Sequence, residues 1–70
     1  MKEYIANNVY TLRSKKDLTQ EEFAQKVDVS RQTIIAIERG NYNPSVLLAL
    51  KIAQVFNVAV EEIFTIKYAK

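Results

Sequence analysis

The chain has 70 residues and a mass of 8.1 kDa, room for one domain; 49% of its residues are hydrophobic and 26% charged, the balance of a soluble globular protein. It contains no cysteine and no histidine, which excludes disulfides, thiolate metal sites and the commonest general base. Ten Lys and Arg against eight Asp and Glu leave a net charge of +2, which by itself does not argue for nucleic acid.

The single glycine, Gly40, cannot build a phosphate-cradling loop of the P-loop or dinucleotide-binding kind. No nucleophile–base pair or ligand cluster stands out, so neither an enzyme, a metal site nor a cofactor is expected. Glu21-Glu22 and Glu61-Glu62 are adjacent carboxylates, but adjacent helix positions diverge and suit the first turns of helices. No apolar run approaches the ~18 residues of a membrane span. MKEYIANN is polar too early for a secretory signal, so the expected address is the cytoplasm, with the nucleoid as the site of action.

In chain order, Ile5, Val9 and Leu12 recur at helical steps and predict a first helix over about Tyr4 to Lys16. Thr19-Gln20-Glu21-Glu22 fits a capping box and opens a second helix, with Phe23, Ala24 and Val27 on its buried side. After Asp28-Val29, Ser30 is a good N-cap for a third helix to about Arg39, terminated by Gly40. Asn41, Tyr42 and Asn43 form a polar loop before Pro44. Ser45 then caps a fourth helix, Val46 to about Phe56, so apolar all round that other helices are expected to surround it.

A short fifth helix is expected over Val60 to Phe64, although Ala59 is a poor N-cap. The tail Thr65-Ile66-Lys67-Tyr68 alternates and is compatible with a short strand. The expected fold is therefore all-α, a compact five-helix domain over residues 1–70, with that C-terminal strand as an option. Asp17, Asp28 and Asn57 stand where helices end in left-handed residues; the alternative is that they are simply polar loop residues.

The segment of about residues 19–39 reads as two capped helices joined by a tight turn, a helix-turn-helix unit whose second helix can enter a major groove. Ile34 and Ile37 point into the core, leaving Arg31, Gln32, Ile35 and Ala36 wholly or partly on the other side, with Thr33 at the edge. Arg can bridge guanine O6 and N7, Gln can pair with adenine, and Ile35 would suit a thymine methyl. The alternative is that Arg31 and Gln32 are solvated and Ile35 packs on a loop. Gln20, in the first turn of the second helix, and the neutral donors Asn41, Tyr42 and Asn43, with Thr33, are candidate phosphate contacts.

The segments LTQEEFAQKV (18–27), VSRQTI (29–34), IERGNYNPS (37–45), LALKIAQVF (48–56) and EEIF (61–64) resemble the Xre/Cro–CI-like helix-turn-helix family of lambda-repressor-like DNA-binding domains. The likeness spans nearly the whole chain and is greatest to the family's short stand-alone regulators. It implies a sequence-specific transcriptional regulator, more often a repressor, that binds a palindromic operator in double-stranded DNA as a homodimer. It also implies that positions 31 and 32, and often 36, read bases, that Gln20 and Asn43 meet phosphates, and that Arg13 and Glu38 form a structural salt bridge. Ala36 has no polar group here, so any base contact from it is methyl packing.

The C-terminal region of about residues 55–68 carries more apolar surface than 70 residues easily bury. A dimer interface through Val58, Val60, Ile63, Phe64 and Ile66 would cover it; a monomer with these residues in its own core is the alternative. The runner-up function is an antitoxin-type interaction module that also binds DNA. No small-molecule site is evident, so control by a separate regulatory protein is expected.

Overall fold

A computed structural model describes residues 2–70. The elements run β1 (Lys2–Asn7), α1 (Val9–Lys15), α2 (Gln20–Lys26), α3 (Arg31–Glu38), α4 (Val46–Phe56), a 3-10 turn (Val60–Glu62) and β2 (Phe64–Ala69). The expectation of an all-α, five-helix domain is thus overturned. Among the described residues there are four α-helices and a two-stranded antiparallel sheet, and the fifth helix is reduced to the 3-10 turn.

Local chemistry accounts for both departures. Ala59 supplies no side-chain cap; its backbone N–H donates to Glu62 Oε1 at 3.1 Å and its carbonyl accepts from the Glu62 N–H at 3.0 Å. The β-favouring run Phe64-Thr65-Ile66-Lys67-Tyr68 then takes over immediately. At the other end, the helical spacing of Ile5 and Val9 is misleading. Asn7 Oδ1 accepts from the Val9 N–H at 3.1 Å and starts α1 there, while Ile5 pairs with Ile66 in the sheet. The register runs from Lys2 opposite Ala69 to Asn7 opposite Phe64.

All four helices end in the same way. Asp17, Asp28, Gly40 and Asn57 adopt φ of 56°, 65°, 79° and 56°, so the left-handed expectation for the three non-glycine turns is met. Each closes a Schellman motif: the next residue's N–H donates to the carbonyl five back, Leu18 to Arg13, Val29 to Ala24, Asn41 to Ala36 and Val58 to Ala53. Leu18, Val29 and Val58 are apolar and pack against the core. After α3 the same place holds exposed Asn41, so this end turns a polar loop outward.

Phe23, Ile34, Ile37, Ile52 and Ile63 are fully buried, and the Phe23 and Phe56 rings stack 5.0 Å apart. Ala24, 2% exposed, lets α2 and α3 approach closely. The expected envelopment of α4 is not found. It buries Leu48, Ile52, Ala53 and Phe56 but leaves Val46 77%, Leu47 65% and Leu50 50% exposed.

The capping box of α2 is complete: Thr19 Oγ1 accepts from the Glu22 N–H at 3.0 Å, and Glu22 Oε1 accepts from the Thr19 N–H at 2.8 Å. The latter bond, chiefly, holds the Glu22 carboxyl below its ordinary pKa of 4.5. A depressed carboxylate stabilises the fold above its unfolded pKa and loses that contribution as pH falls through the lower folded value. Thr19→Ala should cost about 1 kcal/mol. Glu22→Gln should flatten the acid limb of thermal melts recorded against pH; a limb as steep as the parent's would refute this role.

Candidate nucleic-acid interface

Ser30 fixes the start of α3 by accepting from the Thr33 N–H at 3.3 Å, and its hydroxyl lies 3.2 Å from that of Thr33. Burial of Ile34 and Ile37 then sets the rotation of the helix. Arg31 and Gln32 are exposed side by side at its N-terminal end, while Thr33, Ile35 and Ala36 are half-buried. The structure thus leaves the two polar groups free and gives Ile35 partial cover. Asn41, Tyr42 and Asn43 are exposed beyond Gly40.

Ile35 lies in an open groove of about 360 Å³ lined also by Tyr10, Gln20, Arg31, Glu38 and Arg39. Tyr10 and Arg39 are additions that the sequence did not point to. Tyr10 stands three residues before Arg13 in α1, and the Arg13 guanidinium lies 5.3 Å from its ring centroid, a pairing that helical spacing allows. Among the described residues the ion pairs are Arg13–Glu38 and Lys51–Asp28, so Arg31 and Arg39 have no carboxylate partner. The Asp28 charge beside this unit faces Lys51 Nζ at 4.0 Å.

A partly buried polar network braces the groove. Arg13 Nε donates to Glu38 Oε2 at 2.7 Å and Nη2 to Oε1 at 3.1 Å, with side chains only 11% and 7% exposed. Arg13 Nη1 also donates to the Leu18 carbonyl at 2.8 Å, tying α1 to the turn before α2. The bond to Glu38 is the main reason the Arg13 pKa is raised. Glu38 Oε1 accepts further from Gln20 Nε2 at 3.1 Å. Gln20, a candidate phosphate contact, is therefore held in place by the network before any ligand arrives.

The five candidate interface residues separate. Ile63 is 1% exposed and belongs to the chain's own core, Val58, Val60 and Phe64 pack partly against that core, and Ile66 is 60% exposed on β2.

The helix-turn-helix family model matches residues 9–63, from the start of α1 to the buried Ile63. The chain belongs to this family of DNA-binding transcriptional regulators. A helix-turn-helix transcriptional regulator of Methanocaldococcus jannaschii is 55% identical over 58 residues, 83% of this chain and 88% of that protein. One from Bacillus subtilis is 47% identical over the same shares. Among solved structures, the restriction-modification controller protein C.AhdI of Aeromonas hydrophila superposes with a TM-score of 0.71 at 31% identity, covering 77% of this chain and 82% of that one. The family is a non-enzymatic class. No helix among the described residues is long and apolar enough to cross a membrane.

Proposed function

We propose that this helix-turn-helix regulator binds a two-fold symmetric operator as a homodimer and represses transcription by occupying it. The observation that carries this reading is the free pair Arg31 and Gln32 at the leading end of α3, above a helix rotation set by Ile34 and Ile37. In a major groove, Arg31 would bridge a guanine and Gln32 an adenine, with Ile35 and Ala36 offering apolar surface to thymine methyls. Gln20, Thr33, Asn41, Tyr42 and Asn43 would hold the phosphates on either side, and Arg39 and Tyr10 extend that set along the groove. Few cations are needed because neutral donors also position a backbone.

Dimerisation is supported by exposed apolar surface. Leu50 on α4 lines a groove of about 600 Å³ whose walls also include Val58 and Val60, and Val46 and Leu47 are exposed on the same helix. A two-fold contact there would cover these residues and place two copies of α3 roughly 34 Å apart, one turn of DNA. Val58 and Val60 thus keep their interface role, α4 adds to it, and Ile63 supports it from the core.

Selection of binding sequences from a random duplex pool tests the DNA reading and the homodimer, and a reporter driven through the recovered operator, expected to fall when the protein is supplied, tests repression. An inverted repeat with half-sites one helical turn apart is expected. Enrichment of no motif sinks the DNA-reading assignment, and a single unrepeated half-site sinks the homodimer.

A further inference from the structure

The register of β1 and β2 sorts their side chains onto two faces, because cross-strand partners share a face and neighbours alternate. Lys2, Tyr4 and Lys67 fall together, with Tyr4 directly opposite Lys67. The ribbon's one carboxylate, Glu3, lies on the other face, opposite Tyr68, beside the Ile5–Ile66 pair. Neither Lys2 nor Lys67 has an ion-pair partner among the described residues.

The ribbon projects from the body. Lys2 to Tyr4 and Thr65 to Lys70 are exposed, whereas Asn7 and Phe64 at its root are half-buried. Asn7 Nδ2 donates to the Ile37 carbonyl in α3 at 2.9 Å, and the Asn8 N–H donates to the Ile63 carbonyl at 3.1 Å. The root is therefore fixed to the last turn of the helix assigned to the major groove. Six residues per strand give a reach of about 20 Å from that root. An isolated two-stranded ribbon is marginal in water, so this one gains from a partner along its exposed length.

We propose that the face bearing Lys2, Tyr4 and Lys67 contacts the phosphate backbone of duplex DNA flanking the operator. This rests on the DNA-binding reading above and adds a contact outside the helix-turn-helix unit. Charge selects the occupant: two lysines and no carboxylate complement a phosphate chain, whereas a second copy meeting this face across a two-fold axis would set lysine against lysine. The Tyr4 hydroxyl, 53% of the residue being exposed, can donate to a phosphate between them.

The test compares the parent with Lys2→Gln/Lys67→Gln, using the duplex recovered by selection, either trimmed to the repeat or extended by one helical turn on each side. Affinity is measured against salt. The extended duplex should bind the parent more tightly than the trimmed one, and the variant should lose that advantage. The slope of log K against log salt on the extended duplex should fall by about 0.9 for each phosphate the variant no longer neutralises, with base preference unchanged. Lys2→Arg/Lys67→Arg should keep the parent's slope. An unchanged slope overturns the inference and leaves the lysines as protection of open sheet edges. So does a variant whose sedimentation, rather than its salt slope, differs from the parent's, since a protein partner then covers the face. If the parent itself selects no motif, the DNA-binding reading has failed instead.

Discussion

Arg31→Ala is expected to relax the operator at one base pair in each half-site. A bidentate arginine–guanine pair contributes about 1–3 kcal/mol of discrimination, and a dimer loses it twice. The selected motif should go flat at those two symmetric positions and keep its other preferences, because Gln32, Ile35 and the phosphate contacts are untouched. Folding should be unaffected, since Arg31 is exposed and has no ion-pair partner among the described residues. Selection repeated with the variant, followed by titration of parental and substituted duplexes at one stated salt concentration, reads the result. Affinity falling equally for every sequence would show that Arg31 meets phosphate and does not read a base.

Glu38→Ala should produce the largest loss of stability among the polar substitutions. It strands the Arg13 guanidinium, 11% exposed, and removes the acceptor that holds Gln20. Breaking a buried pair costs about 3–5 kcal/mol, and this partly buried one should fall at the low end, about 3 kcal/mol. In a domain of this size that lowers the melting temperature on the order of 10 °C or more. Arg13→Met/Glu38→Leu, which removes both charges and fills their space, should recover much of the loss. At temperatures where both variants are folded, DNA affinity should fall for both, because Gln20 no longer has Glu38 to orient it. A Glu38→Ala protein melting within a degree or two of the parent would refute the network's structural role. The raised pKa of Arg13, due first to its bond with Glu38, keeps the guanidinium charged far above neutrality, so its own contribution is fully present below its ordinary pKa and is lost only as pH rises through the higher folded value.

Much of this site is legible in a single sequence because its determinants are local. Thr19 with Glu22, and Ser30 and Ser45, are caps whose partners lie three residues away, and each forms its bond. The left-handed turns at Asp17, Asp28 and Asn57 are also local, set by short polar side chains that tolerate positive φ. Burial of Ile34 and Ile37 follows from helical spacing, and with it the exposure of Arg31 and Gln32. Tyr10 and Arg39 are not legible in this way, because their place in the groove depends on how α1 packs beside α3. No periodicity within either helix records that.

The net charge of +2 takes on its meaning from where the charges stand. It is a small surplus, yet among the described residues Arg31, Arg39, Lys2 and Lys67 are without carboxylate partners while Arg13 is committed to Glu38. Sequence alone determined the family, the helix-turn-helix unit, the caps and the turns, all governed by interactions within a few residues. Only the tertiary structure decided the two ends of the chain. Ile5 obeys helical spacing toward Val9 but gains more by pairing with Ile66, and Val60–Glu62 makes a single 3-10 turn because β2 claims the residues after Ile63. A strand draws its stability from a partner, here some 60 residues away, and no local pattern contains that partner.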